Sequence, residues 1–229
     1  MTGSSARNSR PGAVRPKGRI RRSNEESILR AAEAVFARAG FSGARVADIA
    51  ARAGIPQANL HYYFKTKRAL YRAVLKNILA LWLSETDIIR EESDPRTAIE
   101  RYVRAKMSFS RRFPNASKVF ANEVIHGANE IGPFLRKELR TLVAAKARVI
   151  ERWIAAGRMA PLDPRHFFFM IWATTQTYAD FEAQVRAVLG VHALDDAQFA
   201  KATEEVVGHV LRSCGFFFVP ARRLVRKRR

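Results

Sequence analysis

From Ser23 onward, apolar positions recur every three to four residues, and no stretch alternates with the period of two that a half-buried strand requires. Ile28, Leu29, Ala32, Val35 and Phe36 form the first such stripe. Ser23 or Asn24 stands ahead of it as an N-cap, Glu25 and Glu26 follow in the first turn, and Gly40 is a stop. Residues 41–70 predict two short helices around the tight Ala53-Gly54-Ile55 bend. Val46, Ile49 and Ala50 share one face, and Leu60 and Phe64 continue it. A long helix is expected over 67–90, with Leu70, Val74, Leu75, Ile78 and Leu79 turned inward. Pro95 and Pro114 open segments over 95–113 and 114–127, and residues 130–157 read as a further segment broken by Pro133. Pro161 and Pro164 frame a turn. Helices then run over 165–189, ended by Gly190, and over 195–213. The expectation is an all-α chain without repeats.

The bend at 53–55 is the layout of a helix-turn-helix. With the apolar side turned inward, Gln57, Ala58, Asn59, His61, Tyr62 and Lys65 are left facing outward. They are short or flat hydrogen-bonding groups and one cation, a set suited to base edges and phosphates. With Arg45 and Lys67, which flank the pair of helices, they are the candidate DNA contacts. The competing reading is a small helical hairpin whose polar face is merely solvated.

Charge changes this picture at the ends. The formal charge is +20 over 229 residues. Residues 1–22 hold Arg7, Arg10, Arg15, Lys17, Arg19, Arg21 and Arg22 without an acid, and residues 214–229 hold Arg222, Arg223, Arg226, Lys227, Arg228 and Arg229, again without one. Both ends read as solvated basic tails that attract phosphates without reading sequence, and the Gly/Ser/Pro-rich first 22 residues are expected to be disordered. Phe216-Phe217-Phe218 has no explanation in the pattern. Cys214 is the only cysteine, which fits a reducing compartment and the cytoplasm. The histidines lack metal-ligand spacing, so no metal is expected. No apolar run approaches the ~20 residues of a membrane span, and no nucleophile–base pair or phosphate loop suggests an enzyme.

Residues 25–70 resemble the DNA-binding domain of the TetR family of one-component regulators. The resemblance rests on the segment from Ala32 to Phe41, on Ile49-Ala50-x-x-Ala53-Gly54-Ile55, and on Leu60-His61-Tyr62-Tyr63-Phe64-x-x-Lys67-x-x-Leu70. Two positions depart from the family pattern: Ala44 stands where Thr is common, and Pro56 where Ser is common. The run Trp172-Ala173-Thr174-Thr175-Gln176-Thr177-Tyr178-Ala179-Asp180-Phe181 and its flanks resemble the pyrimidine-utilisation members of that family, which sense uracil and thymine. Residues 78–83, 106–114 and 160–164 support this, and the resemblance extends over roughly 25–190.

The resemblance implies domains at 23–70 for helix-turn-helix DNA binding and at 71–213 for ligand binding and dimerisation, between the tails at 1–22 and 214–229. Phe168, Trp172 and Gln176 follow i, i+4 spacing and form one stripe of a helix that is apolar nearly all round. Gln176 can satisfy a donor–acceptor edge of uracil, and Trp172 or Trp82 can cover its ring. Lys106, Tyr178 and Asp180 complete the candidate ligand-binding set. Without the resemblance, Trp172 and Trp82 read first as ordinary core aromatics and Gln176 as a backbone-bonded amide. The expected partners are a palindromic operator in double-stranded DNA, a pyrimidine effector and a second copy of the chain, with no cofactor. The last two helices are the expected dimer interface, with Val206, Val207, Val210 and Leu211 as its apolar surface. A pyrimidine-released repressor is the leading reading. A relative that senses another planar or aromatic effector and a sequence-tolerant architectural DNA binder are the alternatives.

Overall fold

A computed structural model describes residues 17–83 and 86–216, and the regular elements among them are all helical. The first helix, α1 (Lys17–Gly43), starts ahead of Ser23, so neither Ser23 nor Asn24 is its N-cap, and residues 17–22 of the expected disordered arm lie within it. The remainder of that arm and most of the C-terminal tail, including Phe217 and Phe218, lie outside the described residues. Gly40 does break the helical path: at φ 65° it takes the left-handed region, and the chain re-forms one more turn before α2 (Val46–Ala53).

Gly54, also left-handed at φ 68°, caps α2 and turns the chain into α3 (Gln57–Tyr63). Ile28, Phe36, Ile49, Leu60 and Leu70 are almost completely buried together, so the stripe drawn from spacing is the core of the reader. The next helix, α4 (Lys67–Leu83), is shorter than the expected 67–90, and a 3-10 turn at Thr86–Ile88 follows in that span.

The proline-opened segments form as expected. They are α5 (Pro95–Arg112), capped by the Asp94 carboxylate on the Thr97 N–H at 2.9 Å, and α6 (Pro114–Ile125). Pro133 starts a helix rather than breaking one, because its missing N–H falls in the first turn, where no intrahelical partner exists. That helix runs from α7 (Gly132–Phe134) through a π-helical stretch at Leu135–Leu139 into α8 (Arg140–Ala155). The expected single helix over 165–189 is two, α9 (Pro164–Asp180) and α10 (Glu182–Leu189), parted at Phe181, with left-handed Gly190 as the C-cap. The last, α11 (Asp196–Ser213), carries a capping box between Asp195 and Gln198.

Two apolar clusters organise the chain. One joins Tyr102, Met107, Ile150, Trp153, Phe168 and Ile171 with α11. The other is the reader core, and it takes in Ala116 and Val119 of α6 together with Ile131. The second cluster therefore reaches well beyond residue 70. One expectation is overturned here. Val206, Val207, Val210 and Leu211 are buried inside the subunit, with α11 packed on α5. The pairing of Arg104 with Glu204 across the two helices, at 2.6 and 2.9 Å, fixes that register. Those valines therefore offer no free surface to a second copy. No helix among the described residues is long and apolar enough to cross a membrane.

Candidate DNA-reading surface and effector cavity

On the reader, burying Leu60 and Phe64 leaves Gln57, Ala58, Asn59, His61, Tyr62 and Lys65 exposed on one side, with Arg45 exposed at the N-cap of α2. Pro56 precedes α3 and supplies no side-chain cap, as its place in the sequence requires. Tyr62 is 73% exposed, far more than an aromatic ring in a core. The Arg21 guanidinium lies 6.0 Å from its ring centroid, and Asn24 Nδ2 donates to the Tyr63 hydroxyl at 3.3 Å, so the extended start of α1 runs beside α3. Lys67 is placed differently from the others. Its Nζ donates to the Ser42 and Ala44 carbonyls at 3.3 and 3.0 Å and sits 4.7 Å from the Phe41 ring centroid. The Ser42 carbonyl is in the last turn of α1, where helical partners run out, and that of Ala44 is in the link to α2. Lys67 therefore locks α4 onto the α1–α2 turn instead of joining the outward set.

The helical spacing along α9 separates two jobs. Phe168, Trp172 and Gln176 line a cavity of about 80 Å³ between α4, α5, α8 and α9, together with Trp82 and Lys106. Tyr178 points elsewhere: its ring packs on Phe199 of α11 at 5.9 Å. Asp180 is also outside the lining. It lies beside Ser117 and Lys118, where burial pushes its pKa up and Ser117, Lys118 and Lys106 pull it back. Five of the seven residues proposed for ligand binding are thus brought together and two are not. Tyr102, Lys146, Phe134 and Leu139 also line the cavity and were missed. Lys146 had a signal, because it interrupts the apolar spacing of Leu142, Val143 and Ile150. Tyr102 had none, since its neighbours are as apolar as any core.

The polar groups around the cavity differ in what they have left to offer. The Trp172 indole N–H donates to the Tyr102 hydroxyl at 2.9 Å, and burial pushes that hydroxyl up to about 12, so the ring of Trp172, not its N–H, is available. Lys146 Nζ donates to the Ile89 carbonyl at 3.0 Å. The Gln176 amide has no hydrogen-bond partner among the described residues. Trp82 meets Phe120 edge to face at 4.3 Å and carries the Lys106 ammonium 4.7 Å from its ring centroid. At about 80 Å³ the cavity is smaller than the engineered apolar cavity of about 150 Å³ that holds benzene, so a six-membered ring enters it only as the lining side chains yield.

Lys106 is 8% exposed, and burial lowers its pKa to about 8, with the Asp180 charge opposing the shift. The unfolded chain therefore binds more protons than the folded one between about pH 8 and the usual lysine value. Stability attributable to this site rises with pH across that window and is lowest below it. Lys106→Met removes the buried cation and is expected to raise the melting temperature at pH 7, with the gain shrinking as pH approaches 10. Thermal melts at both pH values check this; an equal gain at both would assign it to packing alone.

Comparison with known proteins bears on both sites. Residues 28–74 match the model described as bacterial regulatory proteins, tetR family, and residues 75–216 match the C-terminal region of YcdC-like proteins. The chain is 42% identical over 198 residues to the HTH-type transcriptional regulator RutR of Escherichia coli K12, covering 85% of this chain and 93% of that one. It is 30% identical over 136 residues to the HTH-type transcriptional repressor NicS of Pseudomonas putida, covering 58% and 62%. In fold, it superposes on a TetR-like transcriptional regulator from Rhodococcus sp. RHA1 with a TM-score of 0.62 at 18% identity, covering 84% of this chain and 96% of that one.

Proposed function

The chain belongs to the TetR family of bacterial transcriptional regulators, and we propose that it is a repressor of pyrimidine-utilisation genes that uracil or thymine releases from its operator. One observation carries the choice of effector. The Gln176 amide faces the cavity without a hydrogen-bond partner among the described residues, beside the rings of Trp172 and Trp82. A glutamine offers one donor and one acceptor side by side, which matches an N–H/C=O edge of a neutral pyrimidine. The likeness of 168–185 to pyrimidine-sensing regulators and the identity to RutR support the same choice.

Size makes a closed pocket necessary. Micromolar binding needs about 8 kcal/mol, and a very small ligand gains at most ~1.5 kcal/mol per heavy atom. Nearly every atom of uracil must therefore touch protein. On the DNA side, Gln57, Asn59, His61 and Tyr62 read base edges while Arg45 and Lys65 hold phosphates. TetR regulators act as dimers, which lets two such helices read a palindrome. In this chain the outer sides of α9 and α11 are free for pairing: Phe169 is 52% exposed, and Glu205, His209 and Arg212 are exposed.

The cavity and the reader share α4, which supplies Leu79 and Trp82 to one and Leu70 to the core of the other. An effector that alters the packing at Trp82 shifts α4 and the separation of the two α3 helices. A tenfold loss of operator affinity needs only about 1.4 kcal/mol of coupling. Isothermal titration with uracil, thymine and cytosine tests the effector. The expected result is saturable binding of uracil and thymine at one site per subunit, with cytosine rejected. No heat with any of them, from folded dimeric protein, leaves a TetR regulator with a different planar effector.

A further inference from the structure

Between the cavity and the reader, the turn that joins α6 to α7 is bolted to α4 by two buried carboxylates. Glu130 has a side chain only 7% exposed, and it accepts from Arg68 Nε at 2.7 Å and from Arg72 Nε. Its own backbone N–H donates to Glu123 Oε1 at 2.6 Å, and Glu123 Oε2 accepts from the Tyr71 hydroxyl at 3.0 Å. Arg68, Tyr71 and Arg72 occupy the first two turns of α4. The turn they hold is tight, with left-handed backbone at Gly127 and Ala128. Burial pushes the Glu130 pKa up, but the Arg72 and Arg68 guanidiniums outweigh that and leave it below the usual carboxylate value.

The position of this cluster matters more than its strength. Upstream on α4, Lys67 locks onto the α1–α2 turn, and Leu70 is fully buried in the reader core. Directly after Glu130, Ile131 is buried in that same core, while Phe134 and Leu139 line the cavity. Helix α4 is therefore gripped at two places by the cavity wall: at Leu79 and Trp82 by direct lining, and at Arg68 and Arg72 through Glu130. A rod held at one end pivots, whereas a rod held at both ends transmits displacement. We propose that Glu130, with Arg68 and Arg72, is the positioning clasp that converts a change at the Phe134–Leu139 wall of the cavity into movement of α4 against the reader.

This inference rests on the effector reading above, and its test separates the two. The probes are uracil and an operator duplex selected from random-sequence DNA. Wild type is expected to lose operator affinity about tenfold with uracil. Glu130→Gln is expected to bind uracil within threefold of wild type but to lose operator affinity less than threefold on adding it. Arg68→Gln/Arg72→Gln should behave alike, and the triple variant should be no worse than Glu130→Gln alone, since all three remove one connection. A full tenfold response in Glu130→Gln overturns the clasp. Coupling is reciprocal, so a second readout needs no effector: operator binding should slow amide exchange over residues 131–143 in wild type and leave it unchanged in Glu130→Gln. Equal slowing in both proteins also overturns the clasp. If wild type gives no heat with uracil, the effector reading fails and the exchange experiment alone decides the clasp.

Discussion

Gln176→Ala is expected to bind the operator as tightly as wild type and to lose its response to uracil. The side chain sits on α9 at the wall of the cavity, far along the fold from α3, and among the described residues it holds no other in place through a hydrogen bond. Truncation therefore leaves the reader and its support on α4 intact. What it removes is the donor and acceptor that meet the polar edge of the bound pyrimidine, which is then left without a partner. A stranded buried group costs roughly 1–3 kcal/mol, which weakens effector binding by about five- to more than a hundredfold. Gel-shift titrations of wild type and variant against a fixed operator duplex, with uracil varied, give both quantities at once. An unchanged uracil midpoint would remove Gln176 from the contact set and return it to an ordinary position on the wall.

The largest stability loss from a single truncation in the C-terminal cluster is expected at Trp153. Its ring is 1% exposed on α8, and its Nε1 donates at 3.2 Å to the Glu91 carbonyl, tying the segment before α5 to the cluster. Trp153→Ala opens a cavity and also cuts that tie. Large-to-small changes of this kind cost about 3–5 kcal/mol, which lowers the melting temperature by roughly 10 °C in a chain of this size. Trp172→Ala should cost less, because Trp172 is only half-buried and already borders a cavity. Differential scanning calorimetry of the two variants checks the order. A larger loss for Trp172 would make the cavity wall, rather than the α5–α8–α9 packing, the keystone of this half of the chain.

Much of this architecture is a local matter. The 3.6-residue spacing of Ile28, Ala32, Val35 and Phe36, the left-handed glycines at 40, 54 and 190, and the prolines that open α5 and α6 each act within one or two turns, so they can be read in order along the chain. The outward set on α3 follows from them, because once Leu60 and Phe64 are inside, Gln57, Asn59, His61 and Tyr62 can only be outside. The same logic aligned Phe168, Trp172 and Gln176. It could not say where each stripe would find its partner. Tyr178 lies two residues from Gln176 and meets Phe199 instead of the cavity, and Val206, Val207, Val210 and Leu211 fill the subunit core against α5 where a dimer surface was expected.

Lys67 shows the limit of reading by residue type. A lysine beside a DNA-reading helix looks like a phosphate contact, but two carbonyls from a turn some twenty residues earlier claim it first. Glu130 shows it more sharply, since nothing around Asn129-Glu130-Ile131 distinguishes that carboxylate from a solvated one until α4 brings two guanidiniums to it. Helix starts, stops and faces were written in the order of residues because backbone hydrogen bonding and side-chain periodicity act over a few positions. The cavity, the two clusters that divide α6 from α5 and the clasp on α4 were settled only by packing. They depend on which faces meet across tens of residues, and apolar burial is too non-directional for the chain pattern alone to specify that choice.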